Sequence, residues 1–184
     1  TGYAFRVPAG SSYTQDCYYT FTNSDFISAS QWKMELDVAF TTANNGTSQF
    51  YVYSSASGSS WGCFATTDKM FSLQNAKYST DVLVYAGNDE ATPLATLTAT
   101  AYSSGGGPNP SIFYHLTITS DETNGVMLAI EDARSTSVLA ATKVCEFGNP
   151  AGMSLRCGKG IGKVAIDDVT FSIVSDDVLV PSAE

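Results

Sequence analysis

The 184-residue sequence predicts an all-β fold, a two-sheet antiparallel β-sandwich, and three observations carry that expectation. Alternation of apolar and polar residues with period 2 recurs from end to end, whereas no segment holds an apolar i, i+3, i+4 rhythm over three turns. Clusters of Gly, Asn, Asp, Ser and Pro, such as TTANNGT, SSASGSS, AGNDEATP and SSGGGPNP, punctuate the alternating runs. Candidate strands fall near 3–7, 15–21, 24–28, 31–40, 48–54, 60–65, 70–73, 81–86, 94–102, 111–119, 125–131, 136–143 and 161–174. That many short strands overfill a small barrel and suit two stacked sheets.

The clearest strand is QWKMELDVAF, in which Trp32, Met34, Leu36, Val38 and Phe40 take one face and Gln31, Lys33, Glu35, Asp37 and Ala39 the other. One face is core and the other is wet. After TTANNGT the chain resumes as SQFYVYS, where Phe50 and Val52 alternate against Gln49, Tyr51 and Tyr53. An antiparallel hairpin is the expected connection, and it gathers Glu35, Asp37, Tyr51 and Tyr53 on one outer face. SIFYHLTIT repeats the pattern, with Ile112, Tyr114, Leu116 and Ile118 opposed to Phe113, His115, Thr117 and Thr119. A turn, DETN, then leads into GVMLAIED, whose Val126, Leu128 and Ile130 point inward, giving a second hairpin. In the last strand Val164 and Ile166 hold even positions, but Val169, Phe171 and Ile173 hold odd ones. The phase slips at Asp167-Asp168, as a β-bulge or a strand crossing between sheets requires.

Composition bounds the partners. Hydrophobic residues make up 43% and charged residues 15%, with abundant Ser, Thr, Gly and Tyr, a balance typical of secreted or extracellular β domains. A formal charge of −9 argues against nucleic acid or an anionic membrane, since either is repelled before contact. Neutral glycans, cations and basic proteins fit. No run reaches the roughly 20 apolar residues that cross a bilayer, so membrane insertion is not expected. No signal-peptide pattern opens the chain, which therefore reads as a mature or excised domain. Residues 1–174 form the expected domain, and 175–184 (SDDVLVPSAE) lose the strand pattern and read as a tail or linker to further modules.

Four cysteines, Cys17, Cys63, Cys145 and Cys157, are even in number, include no CxxC, and accompany only one histidine. Disulfides are expected in preference to zinc. Cys145 and Cys157 flank EFGNPAGMSLR, and closing that loop contributes ~3 kcal/mol on the chain-entropy account. Cys17 then pairs with Cys63. Three connectivities stay open, and buried free thiols are the alternative.

The order of WKMELDVAF, FYHLTIT with its turn and GVMLAIED, the Gly-flanked SLRCGKG, and the closing IGKVAIDDVTFSIV resembles the concanavalin A-like, laminin G-like jelly roll. The resemblance implies a glycan-facing extracellular domain, with the sugar site on the outer face of a concave sheet. It also implies a structural Ca²⁺ near the last strand, for which Asp167 and Asp168 are the candidate ligands. Glu35-x-Asp37 is similar to the ExDxxE strand of retaining β-glucanases in this fold, but the position of the third acid is Phe40 on the core face. A lyase of this fold needs a base such as His115 or Tyr51 plus several cations for a uronan, and Lys33 is the one cation on these strand faces.

Sugar binding asks for less: aromatic rings against pyranose faces, and amides or carboxylates for the hydroxyls. Glu35, Asp37, Gln49, Tyr51, Tyr53, Trp61, Tyr102 and His115 supply both kinds of group. The expected function is a non-catalytic module that binds a neutral polysaccharide. The alternatives are a laminin G- or MAM-like protein-binding module, then a jelly-roll lyase or glycoside hydrolase.

Overall fold

The computed structural model describes residues 5–7, 15–22, 28–41, 48–54, 68–75, 81–98, 114–132, 137–157 and 163–174. Within them lie β1 (Phe5–Val7), β2 (Gln15–Thr20), β3 (Trp32–Thr41), β4 (Ser48–Tyr53), β5 (Lys69–Asn75) and β6 (Asp81–Ala86). They are followed by β7 (Ala95–Thr98), β8 (Tyr114–Asp121), β9 (Gly125–Asp132), β10 (Ser137–Cys145), β11 (Gly152–Cys157) and β12 (Lys163–Ile173). The described residues form no helix.

Each alternating strand must hide one row of side chains, and two antiparallel sheets hide them against each other. The first sheet has the order β1-β12-β3-β8-β9-β10, the second β2-β11-β4-β5-β6-β7. Met34, Leu36, Val38, Leu116, Ile118, Leu128 and Ile130 of the first sheet are fully buried against Phe50, Val52, Phe71, Leu73, Val82 and Val84 of the second. The Phe50 and Phe71 rings meet edge-on at 6.2 Å. The chain enters the second sheet at β2, returns for β3, runs β4 to β7 in the second, β8 to β10 in the first, then crosses for β11 and back for β12.

The β8–β9 hairpin forms as expected, with Leu116 opposite Ile130 and Ile118 opposite Leu128. The hairpin expected between 31–40 and 48–54 does not form. β3 pairs with β12 and β8, whereas β4 pairs with β11 and β5 in the other sheet. Turn residues between two amphipathic strands reverse the chain, but they leave open whether the second strand pairs beside the first or stacks over it. Either arrangement buries Phe50 and Val52.

EFGNPAGMSLR is not wholly a loop. Its second half belongs to β11, which fits between β2 and β4, while Gly148 O accepts from Trp32 Nε1 at 3.0 Å and from Ser120 Oγ at 3.3 Å. β11 thus carries Cys157 about 17 Å along the strand from Gly152, at roughly 3.4 Å per residue. Cys145 is a free thiol, so the expected Cys145–Cys157 bridge is not made. Cys63 lies outside the described residues. So do Trp61, Tyr102, the tail 175–184, and the strands expected near 60–65 and over most of 24–28.

The phase slip in the last strand is a bulge. Asp167 pairs with Asp37 and Thr170 with Glu35, so two residues of β12 oppose Leu36 alone. Asp168 takes a left-handed conformation with φ of 49°, which aspartate tolerates better than most residues because its carboxylate bonds locally. Here Asp167 Oδ1 accepts from the Asp168 N–H at 2.9 Å. Val169 is thereby returned to the core side.

Candidate functional site

The two outer faces differ in chemistry, and the residues expected to form one site divide between them. On the first sheet, β3 presents Lys33, Glu35 and Asp37, and β8 presents His115 opposite Asp37 and Thr117 opposite Glu35. His115 Nδ1 donates to Asp37 Oδ1 at 2.7 Å; a carboxylate only accepts, so this contact places the proton on Nδ1. His115 Nε2 lies 3.9 Å from Glu35 Oε1, and Lys33 Nζ is 2.8 Å from the same carboxylate oxygen. The hydrogen bond from Lys33, helped by its charge and by His115, holds the Glu35 carboxyl below its ordinary pKa. This is a half-buried charge ladder in which each carboxylate already has a partner. Phe40, where a third acid would stand, is buried in the core.

On the second sheet the outer face carries rings, amides and hydroxyls. Gln49, Tyr51 and Tyr53 lie along β4, opposite Gln74, Ser72 and Lys69 of β5 and Arg156, Ser154 and Gly152 of β11. Tyr85 of β6 pairs with Ser72. The Tyr51 and Tyr53 rings are 5.8 Å apart and tilted by 36°. Tyr53 Oη and Ser154 Oγ are 3.0 Å apart, within hydrogen-bond reach. Gln49 Nε2 donates to Gln74 Oε1 at 2.9 Å, and Gln74 Nε2 to Ser72 Oγ at 3.2 Å.

Burial grades along this face. Gln49, Gln74 and Arg156 are half-buried, whereas Tyr51 is 5% and Tyr53 2% exposed although both point away from the core. The tyrosines form a covered polar-aromatic floor, with the half-buried amides at its more exposed end. They therefore do not share a face with Glu35, Asp37 and His115, which lie across the thickness of the sandwich. The corrected β3–β4 relation is the reason.

Sequence reasoning missed Lys69, Ser72, Gln74, Tyr85, Arg156 and Ser154. Lys69 reaches the floor through a register shift: Val52 pairs with Phe71 but Tyr53 with Lys69, so Met70 is the extra residue. Met70 and Phe71, adjacent in sequence yet both in the core, are the signal of that bulge. Lys69 Nζ stands 5.0 Å from the Tyr51 ring centroid and forms an ion pair with Glu90.

Asp167 and Asp168 stand at the bulge, half-buried and exposed respectively. Among the described residues no group of three His, Cys, Asp or Glu side chains is arranged to hold a metal ion. Asp167 Oδ1 accepts one hydrogen bond from the bulge backbone, the Asp168 N–H at 2.9 Å.

Solved structures similar to this chain decide the architecture. The carbohydrate recognition domain of Emp46p in its potassium-bound form superposes with a TM-score of 0.58 at 12% identity, covering 91% of this chain and 82% of that one. Its metal-free form gives 0.56 at 14% identity, covering 91% and 81%. The carbohydrate recognition domain of Emp47p gives 0.52 at 12%, covering 90% and 82%. The fold is a two-sheet jelly roll of the kind these domains have. No protein-family model matches the sequence, and no curated protein does. The jelly roll is thus shared in three dimensions at identities where sequence pattern alone has faded.

Proposed function

We propose that this jelly roll is a non-catalytic carbohydrate-binding domain of a secreted or extracellular protein, and that it holds a neutral polysaccharide on the outer face of its second sheet. The observation that carries the reading is the in-register grouping of Tyr51, Tyr53, Gln49, Gln74, Ser72 and Ser154 on that single face. The half-buried amides of Gln49 and Gln74 can exchange hydrogen bonds with sugar hydroxyls, and the covered Tyr51 and Tyr53 rings pack beside them. The likeness to carbohydrate recognition domains supports the same reading.

Binding to a panel of neutral polysaccharides tests the proposal. Micromolar-range affinity is expected, weakened at least tenfold by Gln49→Ala or Gln74→Ala and unchanged by Glu35→Gln on the opposite sheet. Loss with Glu35→Gln but not with Gln49→Ala would move the site to the first sheet. Absence of binding to every glycan would remove the proposal and leave the protein-binding alternative.

A further inference from the structure

The 87–94 turn between β6 and β7 reaches back to the start of β5 at three points. Gly87 N donates to Met70 O at 2.9 Å, the Lys69 N–H donates to Asn88 Oδ1 at 3.1 Å, and the Lys69 ammonium pairs with Glu90. The turn is itself braced by the Ala91 N–H on Asp89 Oδ1 at 2.8 Å. Glu90 is therefore delivered to the tyrosine floor by a fixed element. The Lys69 side chain is 5% exposed and that of Glu90 41%. The cation is sunk against Tyr51 and its carboxylate partner stands at the rim.

We infer that the Lys69–Glu90 pair is a charge filter that determines which sugars the second-sheet face accepts. The inference rests on the glycan reading of that face. An exposed ammonium on this face would ordinarily attract a uronate or sulfated residue. Here the ammonium is already neutralised, and the rim presents a carboxylate that repels an anionic sugar, in keeping with a chain charge of −9. A neutral sugar meets neither penalty, while the buried cation keeps Tyr51 in place from one side. Arg156 lies at the other end of the face, in register with Gln49, so an acidic sugar drawn there would not depend on Glu90.

The test measures affinity for a neutral glucan or mannan and for a polyuronate with the wild-type domain, Glu90→Gln, Glu90→Ala and the double variant Glu90→Gln/Lys69→Met. The wild type is expected to favour the neutral polymer at least tenfold. In both single variants the ratio of uronate to neutral affinity rises at least tenfold, the gain falls with added salt, and the double variant loses it. An unchanged ratio in the single variants, or a wild type that already binds polyuronate as tightly, overturns the filter. The glycan reading would survive either result. Failure of every form to bind either polymer overturns both.

Discussion

Tyr53 is a polar side chain almost wholly removed from water on the outside of a sheet, and its hydroxyl meets Ser154 Oγ at 3.0 Å. Tyr53→Phe keeps the ring and leaves the serine hydroxyl without that contact, at a cost of about 1 kcal/mol in a urea melt. Cys145 offers a second test at this scale. Burial, followed by the neighbouring Glu146 charge, pushes its thiol up to about 11. The thiolate is the nucleophile, so at pH 8 iodoacetamide should alkylate Cys145 far more slowly in the folded protein than in denaturant, as peptide mapping reads. Equal rates in the two states would contradict a half-buried thiol with a raised pKa. The Cys145 position was legible in the sequence, but its bonding was not, because only the course of β11 separates it from Cys157.

At the scale of the element, hairpins and bulges fix which face a side chain reaches. The β8–β9 turn is closed by Asp121, whose carboxylate accepts from the Asn124 side chain at 2.9 Å and from the N–H groups of Thr123 at 2.9 Å and Asn124 at 2.7 Å. Gly125 follows with a φ of 76°, and a Cβ there would lie 2.6 Å from the Cys145 carbonyl oxygen. Backbone, not a pliable side chain, is the obstacle, so Gly125→Ala should lower stability by about 2 kcal/mol or more, measured by chemical denaturation. A change below a few tenths would mean the hairpin can shift away from β10. β10 itself pairs with β9 through repeated register shifts, which irregularise the outer edge of the first sheet. The bulge at Asp167-Asp168 was visible as a phase slip, because one inserted residue moves every later side chain to the other face. The bulge at Met70 left only two adjacent apolar residues as its mark, and so Lys69 was not expected on the floor.

For the molecule as a whole, two carboxyls among the described residues have lowered pKa values and so contribute to its acid sensitivity. Asn124 hydrogen bonds depress Asp121, and Lys33 depresses Glu35. Each contributes stability that is fully present above its unfolded value and is lost as pH falls through the lower folded value. Stability should therefore fall progressively below about pH 4.5, the ordinary value for Glu, and Lys33→Met should flatten part of that slope. Urea midpoints at pH 7, 5, 4 and 3 for both proteins read this; parallel slopes would show that Lys33 does not act on Glu35. At this scale the sequence by itself determined the β class, the inward rows of β3, β8 and β9, the β8–β9 hairpin and the slip in β12. Period-2 burial is a local property written into each strand. Only the tertiary structure decided that β4 stacks across the core from β3, which sends Glu35, Asp37 and His115 to one side and Gln49, Tyr51 and Tyr53 to the other. Alternation says which face of a strand is buried, but it is silent on which strand lies beside it, and a binding face is made of neighbours.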